Sequence, residues 1–335
     1  PGVPIITSEN AEEVAANGCA RSTVKETYEF ILGDLNKAIE LLANTKKTRS
    51  DKRYVSLDVA YGIRARVHLT MHNYADALKD AEAALASTSS VPYSSAAVSK
   101  PTFIDIEDAS WMWGILITDK DRVSTTGICN FPSHMGSLNY GYASVGGWRR
   151  ISPKLYNQIP ESDVRKGWFL DDTGVSVNLP AAAQAYITKK GAPVYTQVKY
   201  GPMNDEWGSN NNATDVILMR VEEMYLIKAE AQAMNNDVSG GVNTLNSFVN
   251  TYRDPSYKCT ATTGEAVQEA VWHQRRIEFW GEGLAYFDIM RLNKGVNRLG
   301  CGFPKTAVFN IAAGDPVQIY SIPNKEVQYN PLLEN

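Results

Sequence analysis

Apolar residues recur with helical spacing at both ends of the chain and lose that period in the middle. This contrast limits the fold more than any single motif does. After Thr23, which with Glu26 forms a capping-box signature, a stripe runs through Val24, Tyr28, Ile31, Leu35, Ile39 and Leu42. A charged loop, Asn44 to Arg53, follows. Ala60, Ile63, Val67 and Met71 then mark one helix, and Tyr74, Ala77, Leu78, Ala81 and Leu85 its partner across His72-Asn73. Alanines at the facing positions let two antiparallel helices approach closely, in the manner of a tetratricopeptide unit.

Residues 91–213 read differently. Clusters of Ser, Gly, Asn and Pro interrupt every would-be helix, as at Ser87 to Ser90, Asn139 to Gly147 and Gly201 to Asn212. Short apolar or alternating runs, Trp111 to Ile117 and Val194 to Tyr200, are expected to be small strands. Trp111, Trp113, Trp148, Trp168 and Trp207 all fall here, and a loop-rich stretch of this length is usually functional. Helical spacing returns at about residue 215 with Leu218, Val221, Tyr225 and Ala229. Ser239-Gly240-Gly241 introduces a partner helix, and Thr262 with Glu265 forms a second capping signature before Val267, Val271 and Ile277. The tail from Ile319 is expected to be extended. The fold class is therefore mainly α, a tetratricopeptide-like helix-pair superhelix with an irregular insertion carrying short strands. Three parts are expected: helical residues 1–90, a loop-rich ligand-binding part 91–213, and a C-terminal helical part 214–335 with its tail.

Composition narrows the function. A net charge of −4 gives no general attraction to nucleic acid. No run of about 18 apolar residues is present to span a membrane. The opening Pro1-Gly2-Val3-Pro4 has no charged and apolar leader pattern, and the residues before Cys19 are too polar for a lipoprotein signal. Four dispersed cysteines (Cys19, Cys129, Cys259, Cys301) permit two disulfides but have no metal-like spacing.

The most specific motif is Arg275-Arg276-Ile277-Glu278-Phe279-Trp280-Gly281-Glu282-Gly283-Leu284-Ala285-Tyr286-Phe287-Asp288-Ile289-Met290-Arg291. It resembles the C-terminal signature of the SusD/RagB family. Leu218 to Ala231, with Arg220, Glu222, Tyr225, Ala229 and Glu230, resembles that family's preceding helix. Ile319 to Asn330 resembles its closing segment, and Asp163-Val164-Arg165-Lys166 fits its middle. The resemblance implies a helix-pair scaffold with an irregular segment packed on it. It also implies a non-enzymatic lipoprotein on the outer face of the outer membrane of a Bacteroidota bacterium, capturing glycans, or in a minority branch peptides, for a SusC-like TonB-dependent transporter. Family members are generally longer at the N-terminus, so Pro1 is expected to fall after their first portion, and the membrane-anchoring lipid to be absent from this chain. Independently of the family, the motif's charges one turn apart suit structural bridging by the planar fork of arginine.

Sugar capture needs flat aromatic faces for the C–H side of a pyranose and planar polar groups for its hydroxyls. Tyr140, Tyr142, Trp148 and Arg149, on a glycine-rich frame, fit best; Asp205 and Trp207 in a polar loop come second. Trp111 and Trp113 alternate, so one is expected in the core, as are Trp272 and Trp280. His68 and His72 are spaced like two zinc ligands on a helix but have no third ligand. His134 has no base partner for a nucleophilic triad. The adjacent acids Asp171-Asp172, Asp205-Glu206 and Glu222-Glu223 are the only hints of a glycosidase. No phosphate loop or dinucleotide fingerprint occurs, so no cofactor is expected.

Overall fold

The computed structural model describes residues 2–45, 48–121 and 130–333. It is mainly helical, with helix pairs forming a scaffold and an irregular middle packed on it. α1 (Val24–Asn44) begins at the expected capping box, where the Thr23 hydroxyl accepts from the Glu26 amide and Glu26 answers the Thr23 amide. α2 (Leu57–Thr70) and α3 (Tyr74–Ser87) form the alanine-lined hairpin. Ala65, Ala77, Ala81 and Ala84 are wholly buried there, which brings the axes close.

The second helical set is α5 (Val221–Met234), α6 (Val238–Tyr252) and α7 (Gly264–Glu278). α5 is the central helix and packs against α3, α6 and α7. Gly241 makes the α5–α6 approach possible: a Cβ there would lie 2.6 Å from the Ala229 carbonyl oxygen. α7 is capped one residue later than expected, by the Thr263 side chain accepting from Ala266.

Between these sets the middle is not wholly irregular. α4 (Ala181–Lys189) is a helix that the loop reading missed; it starts after Pro180 and continues through an alanine run. β1 (Trp111–Ile115) pairs antiparallel with β2 (Val216–Arg220), residues that apolar spacing had assigned to the start of a helix. Their partner strand overrides that spacing. Val194 to Tyr200 is no strand but makes isolated bridges, Thr196 to Arg150, Gln197 to Phe169 and Tyr200 to Thr102. The tail is not uniformly extended: Asn324–Tyr329 is helical. Asn330 then clamps the Cys19 backbone, accepting from its amide at 3.0 Å and donating to its carbonyl at 2.8 Å.

The two parts are joined by buried charge. Glu278, fully buried at the end of α7, accepts from Arg253 at 2.8 Å, Arg220 at 3.1 Å and Arg165 at 3.3 Å. Arg220 also pairs with Glu222 at 3.0 Å and Glu282 at 2.9 Å. Arg165 pairs with Asp163 at 2.6 Å. Lys199 places its ammonium 2.5 Å from Glu282 and on the carbonyls of Glu278 and Trp280, over the rings of Phe103 and Trp168. Burial pushes that ammonium down to about 8 despite Glu282. The other motif arginines are engaged as well: Arg275 with Asp288 at 2.7 Å, and Arg291 with Asp288 at 2.9 Å and Glu230 at 2.8 Å. The signature is thus structural, with one revision. Glu278 reaches arginines of three other segments rather than Arg275 one turn back.

Burial alone would raise the Glu278 carboxyl, but Arg253, Arg220 and Arg165 hold it well below the usual carboxylate range. Glu282 and Asp288 are lowered too, by Arg220 and Lys199 and by Arg275 and Arg291 against the cost of burial. Such groups bind protons less readily folded than unfolded, so their stabilisation is complete above about pH 4.5 and is lost as pH falls below it. Urea midpoints should already fall from pH 7 to 5, because burial and then Arg276 and Arg165 hold His273 down to about 4, so that it takes up its proton chiefly in the unfolded chain. They should drop more steeply toward pH 3 as the carboxylates are protonated. Glu278→Gln at pH 7, which leaves three buried guanidiniums short of their shared counter-charge, should lower unfolding free energy by about 3–5 kcal/mol.

Candidate functional site

The two aromatic loops, some sixty residues apart in sequence, lie side by side. The Gly208 amide donates to the Leu138 carbonyl at 2.7 Å, and the Tyr140 amide to Ser209 at 2.8 Å. The buried Asn212 side chain donates to the Tyr140 carbonyl at 2.9 Å and accepts from Asn139. Asn130 in turn donates to the Asn212 backbone carbonyl at 2.9 Å. Asparagine amides thus do the work of a sheet ladder here, because the glycines and turns leave no regular strand to do it.

Each residue singled out from sequence has a distinct setting. Tyr140 is 45% exposed and is the freest ring of the group. Tyr142 opens a single 3-10 turn; its ring lies 4.1 Å from that of His134, and the Arg149 guanidinium sits 5.8 Å from its centre. Arg149 also donates to the Gly147 carbonyl at 3.3 Å. Trp148 and Trp207 are half-buried and meet on one apolar cluster of Leu138, Leu170, Ala183, Ile187 and Val198. The glycine frame does not bury these indoles, as expected, but α4 does so from below. Asp205 is exposed on the polar turn. Asn204 and Asp205 both have left-handed backbone, φ 56° and 55°, which this residue pair tolerates better than most.

Sequence reasoning missed Tyr186 of α4. Its ring backs Gly208, where a Cβ would lie 2.7 Å from it. Burial raises the Tyr186 hydroxyl above its ordinary value. The signal was present in the alanine run after Pro180, which predicts a helix whose one large aromatic packs on something nearby.

The remaining candidates go elsewhere. Trp111 is fully buried while Trp113, half-buried, donates to the Arg53 carbonyl at 3.2 Å, so the alternation holds. Neither Trp280 nor Trp272 is core: both are half-buried, Trp280 packing edge-on against Phe169 and Trp272 lying with Arg276 4.2 Å and Lys294 4.9 Å from its ring. His72 lies beyond the end of α2 and bonds the Arg291 carbonyl at 2.8 Å, so it does not share a helical face with His68. Among the described residues no group of three His, Cys, Asp or Glu side chains could hold a metal ion. Cys19, Cys259 and Cys301 are free, and Cys129 lies outside the described residues. Of the adjacent acids, Glu222 and Glu223 are buried in ion pairs with Arg253 and Arg66. No helix among the described residues is long and apolar enough to cross a membrane.

The arrangement offers ring faces and edges beside amide, carboxylate and guanidinium groups on a stiff base. Asn212→Ala should cost about 1–3 kcal/mol, because it takes the side-chain donor from the Tyr140 carbonyl and leaves the buried Asn139 amide only a long bond to the Pro132 carbonyl at 3.4 Å. Tyr140→Ala should stay within about 0.5 kcal/mol of the parent. Paired urea denaturation curves measure both.

Comparison with known proteins places this geometry among relatives. The sequence profile described as "SusD family" matches residues 155–334, over half of the chain. A second profile, "Starch-binding associating with outer membrane", matches residues 1–69. A SusD-like protein P2 of Formosa agariphila is 24% identical over 329 residues, which cover 88% of this chain and 61% of that protein. The chain therefore spans about three fifths of that relative's length. A SusD-like carbohydrate binding protein of Bacteroides vulgatus superposes with a TM-score of 0.78 at 24% identity, covering 99% of this chain and 70% of the other. A SusD superfamily protein of Bacteroides thetaiotaomicron gives 0.78 at 23% identity, with the same coverage. A sugar binding protein of Bacteroides vulgatus, so described provisionally, gives 0.72 at 22% identity, covering 99% and 69%.

Proposed function

The chain belongs to the SusD family, and from that premise we propose that it captures an oligosaccharide for an outer-membrane nutrient-uptake system. The site is the surface formed by residues 138–149 and 203–212, within the loop-rich part 91–213, held by the helical parts on either side. The cargo passes uncut to a SusC-like TonB-dependent transporter, with the full-length protein held by an N-terminal lipid at the extracellular face of the outer membrane. Two relatives are described by their sugar or carbohydrate binding, and one matching profile by starch binding and outer-membrane association. These descriptions support the reading for this chain.

The observation that supports the site is that Trp148 and Trp207 share one apolar cluster while backbone bonds and Asn212 lock the loop of Tyr140 and Arg149 onto the loop that follows Asp205. Each ring contributes about 0.5–1.5 kcal/mol to a stacked sugar. Two or three rings with a few hydrogen bonds give a weak, quickly reversed grip, which suits a protein that hands its cargo on. The loops offer ring faces more than an array of backbone groups, which favours a glycan over a peptide.

Affinity electrophoresis against a polysaccharide panel, beside a mixed peptide library, tests the reading. At least one neutral polysaccharide should retard the protein, with no shorter products after prolonged incubation. Tyr140→Ala should weaken that retardation about 3- to 10-fold, and Trp148→Ala by at least as much, with melting curves as the control for its half-buried ring. Binding to peptides alone, or to nothing, would refute the glycan assignment.

A further inference from the structure

A second concave surface in the irregular middle shares no residue with the two loops. It is a cleft of ≈ 520 Å³, within the range of ligand sites, lined among others by Tyr156, Glu161, Asp163, Lys166, Asp171, Asp172 and Tyr195. Tyr156 is buried as its floor and Tyr195 is half-exposed as its side; their rings lie 5.1 Å apart at 59°.

Tyr195 is placed there against its own preference. Its φ of 66° is left-handed, uncommon for so bulky a residue and costing about 1–3 kcal/mol. Long-range bonds impose it: the Tyr195 amide donates to the Leu170 carbonyl at 3.0 Å, and its carbonyl accepts from Ile151 at 3.0 Å. The ring packs against the edge of the core beside Tyr156 and still lines the cleft.

The wall is electronegative. Glu161, Asp163, Asp171 and Asp172 face one ammonium, Lys166. Lys166 is taken by Glu161 at 2.5 Å, Asp163 by Arg165, and Asp171 by the amides and hydroxyl of its own turn. The exposed Asp172 has no hydrogen bond or ion pair among the described residues. Burial, then Asp171, Glu161 and Asp172, push the Tyr156 hydroxyl up to about 12, so it remains a neutral donor.

The cleft is tied to the loop surface through the backbone: the Arg149 carbonyl accepts from the Gln197 amide at 2.9 Å, and the amide of Ile151, three residues past Trp148, donates to the Tyr195 carbonyl at 3.0 Å. Three residues of extended chain span roughly 10 Å, a distance that one oligosaccharide can bridge.

We propose that this cleft is a second saccharide subsite, built around Tyr195, which extends the grip on the same oligosaccharide and admits neutral or amino-bearing units while repelling uronate- or sulfate-bearing ones. The proposal rests on the glycan reading above.

The test uses the whole chain in titration calorimetry. The probes are neutral hexasaccharides of glucan, xylan, mannan and galactan, a chitosan hexamer and a polygalacturonate hexamer, with the trisaccharide of whichever neutral chain binds best. Tyr195→Asn keeps a residue that tolerates the left-handed backbone; it should weaken the hexasaccharide about 5-fold or more and leave the trisaccharide within about 2-fold. Asp172→Lys alters an exposed, unbonded side chain, so folding is not at stake. It should raise binding of the polygalacturonate hexamer by about 5-fold at low salt, an effect that added salt erases. If Tyr140→Ala weakens the hexasaccharide while Tyr195→Asn and Asp172→Lys change nothing, the cleft is no subsite and the loop surface stands alone. If Tyr195→Asn abolishes binding and Tyr140→Ala does not, the cleft stands and the loop assignment falls. If no saccharide binds the parent protein, both fall.

Discussion

Glu278 and the three guanidiniums around it are the constraint on which the other features depend. A carboxylate and three arginines taken out of water are tolerable only if every charge is matched and every donor aimed. Here the arginines come from three places: Arg165 from the irregular middle, Arg220 from β2 and Arg253 from the end of α6. None can be placed without its own segment being placed. The cluster therefore fixes the meeting point of segments that share little regular structure. Lys199 does the same for residues 195–201, whose ammonium is held by the carbonyls that follow α7.

From that fixed point the candidate surface is built outward in stages. The helix pairs give a rigid back. The apolar cluster on α4 carries the undersides of Trp148 and Trp207. The asparagines at 130, 139 and 212 then close the loops on each other. The outcome is a loop surface held in one arrangement by the fold itself, so a molecule docking on it would have little loop ordering to offset.

The helical scaffold was legible because its evidence is local: apolar spacing of 3.6, alanines at facing positions, the cap at Thr23 and a cap read at Thr262, one residue short of the true one, all point the same way. The signature around Glu278 was legible as architecture, though not its partners, since Arg165, Arg220 and Arg253 are brought to it by tertiary folding. Residues 216–220 were misread because a short apolar run fits a helix or a strand equally well, and only pairing with β1 decides it. At the site, the freedom of Tyr140 could be read from its glycine neighbours. The half-burial of Trp148 and Trp207 could not be, because it depends on α4, hidden among turn-forming residues. Tyr195 gave no local sign at all: its backbone conformation is set by Leu170 and Ile151.

The clamp between Asn330 and Cys19 has a further consequence. One side chain answers both the amide and the carbonyl of a residue near the other end of the chain, so the closing segment behaves as a latch on the first helices. The turns at 140–147 and 204–210 lie between these ends, so they can be lengthened or shortened while the latch and the ionic cluster keep their places, and the skeleton is thereby insulated from change in the loop surface.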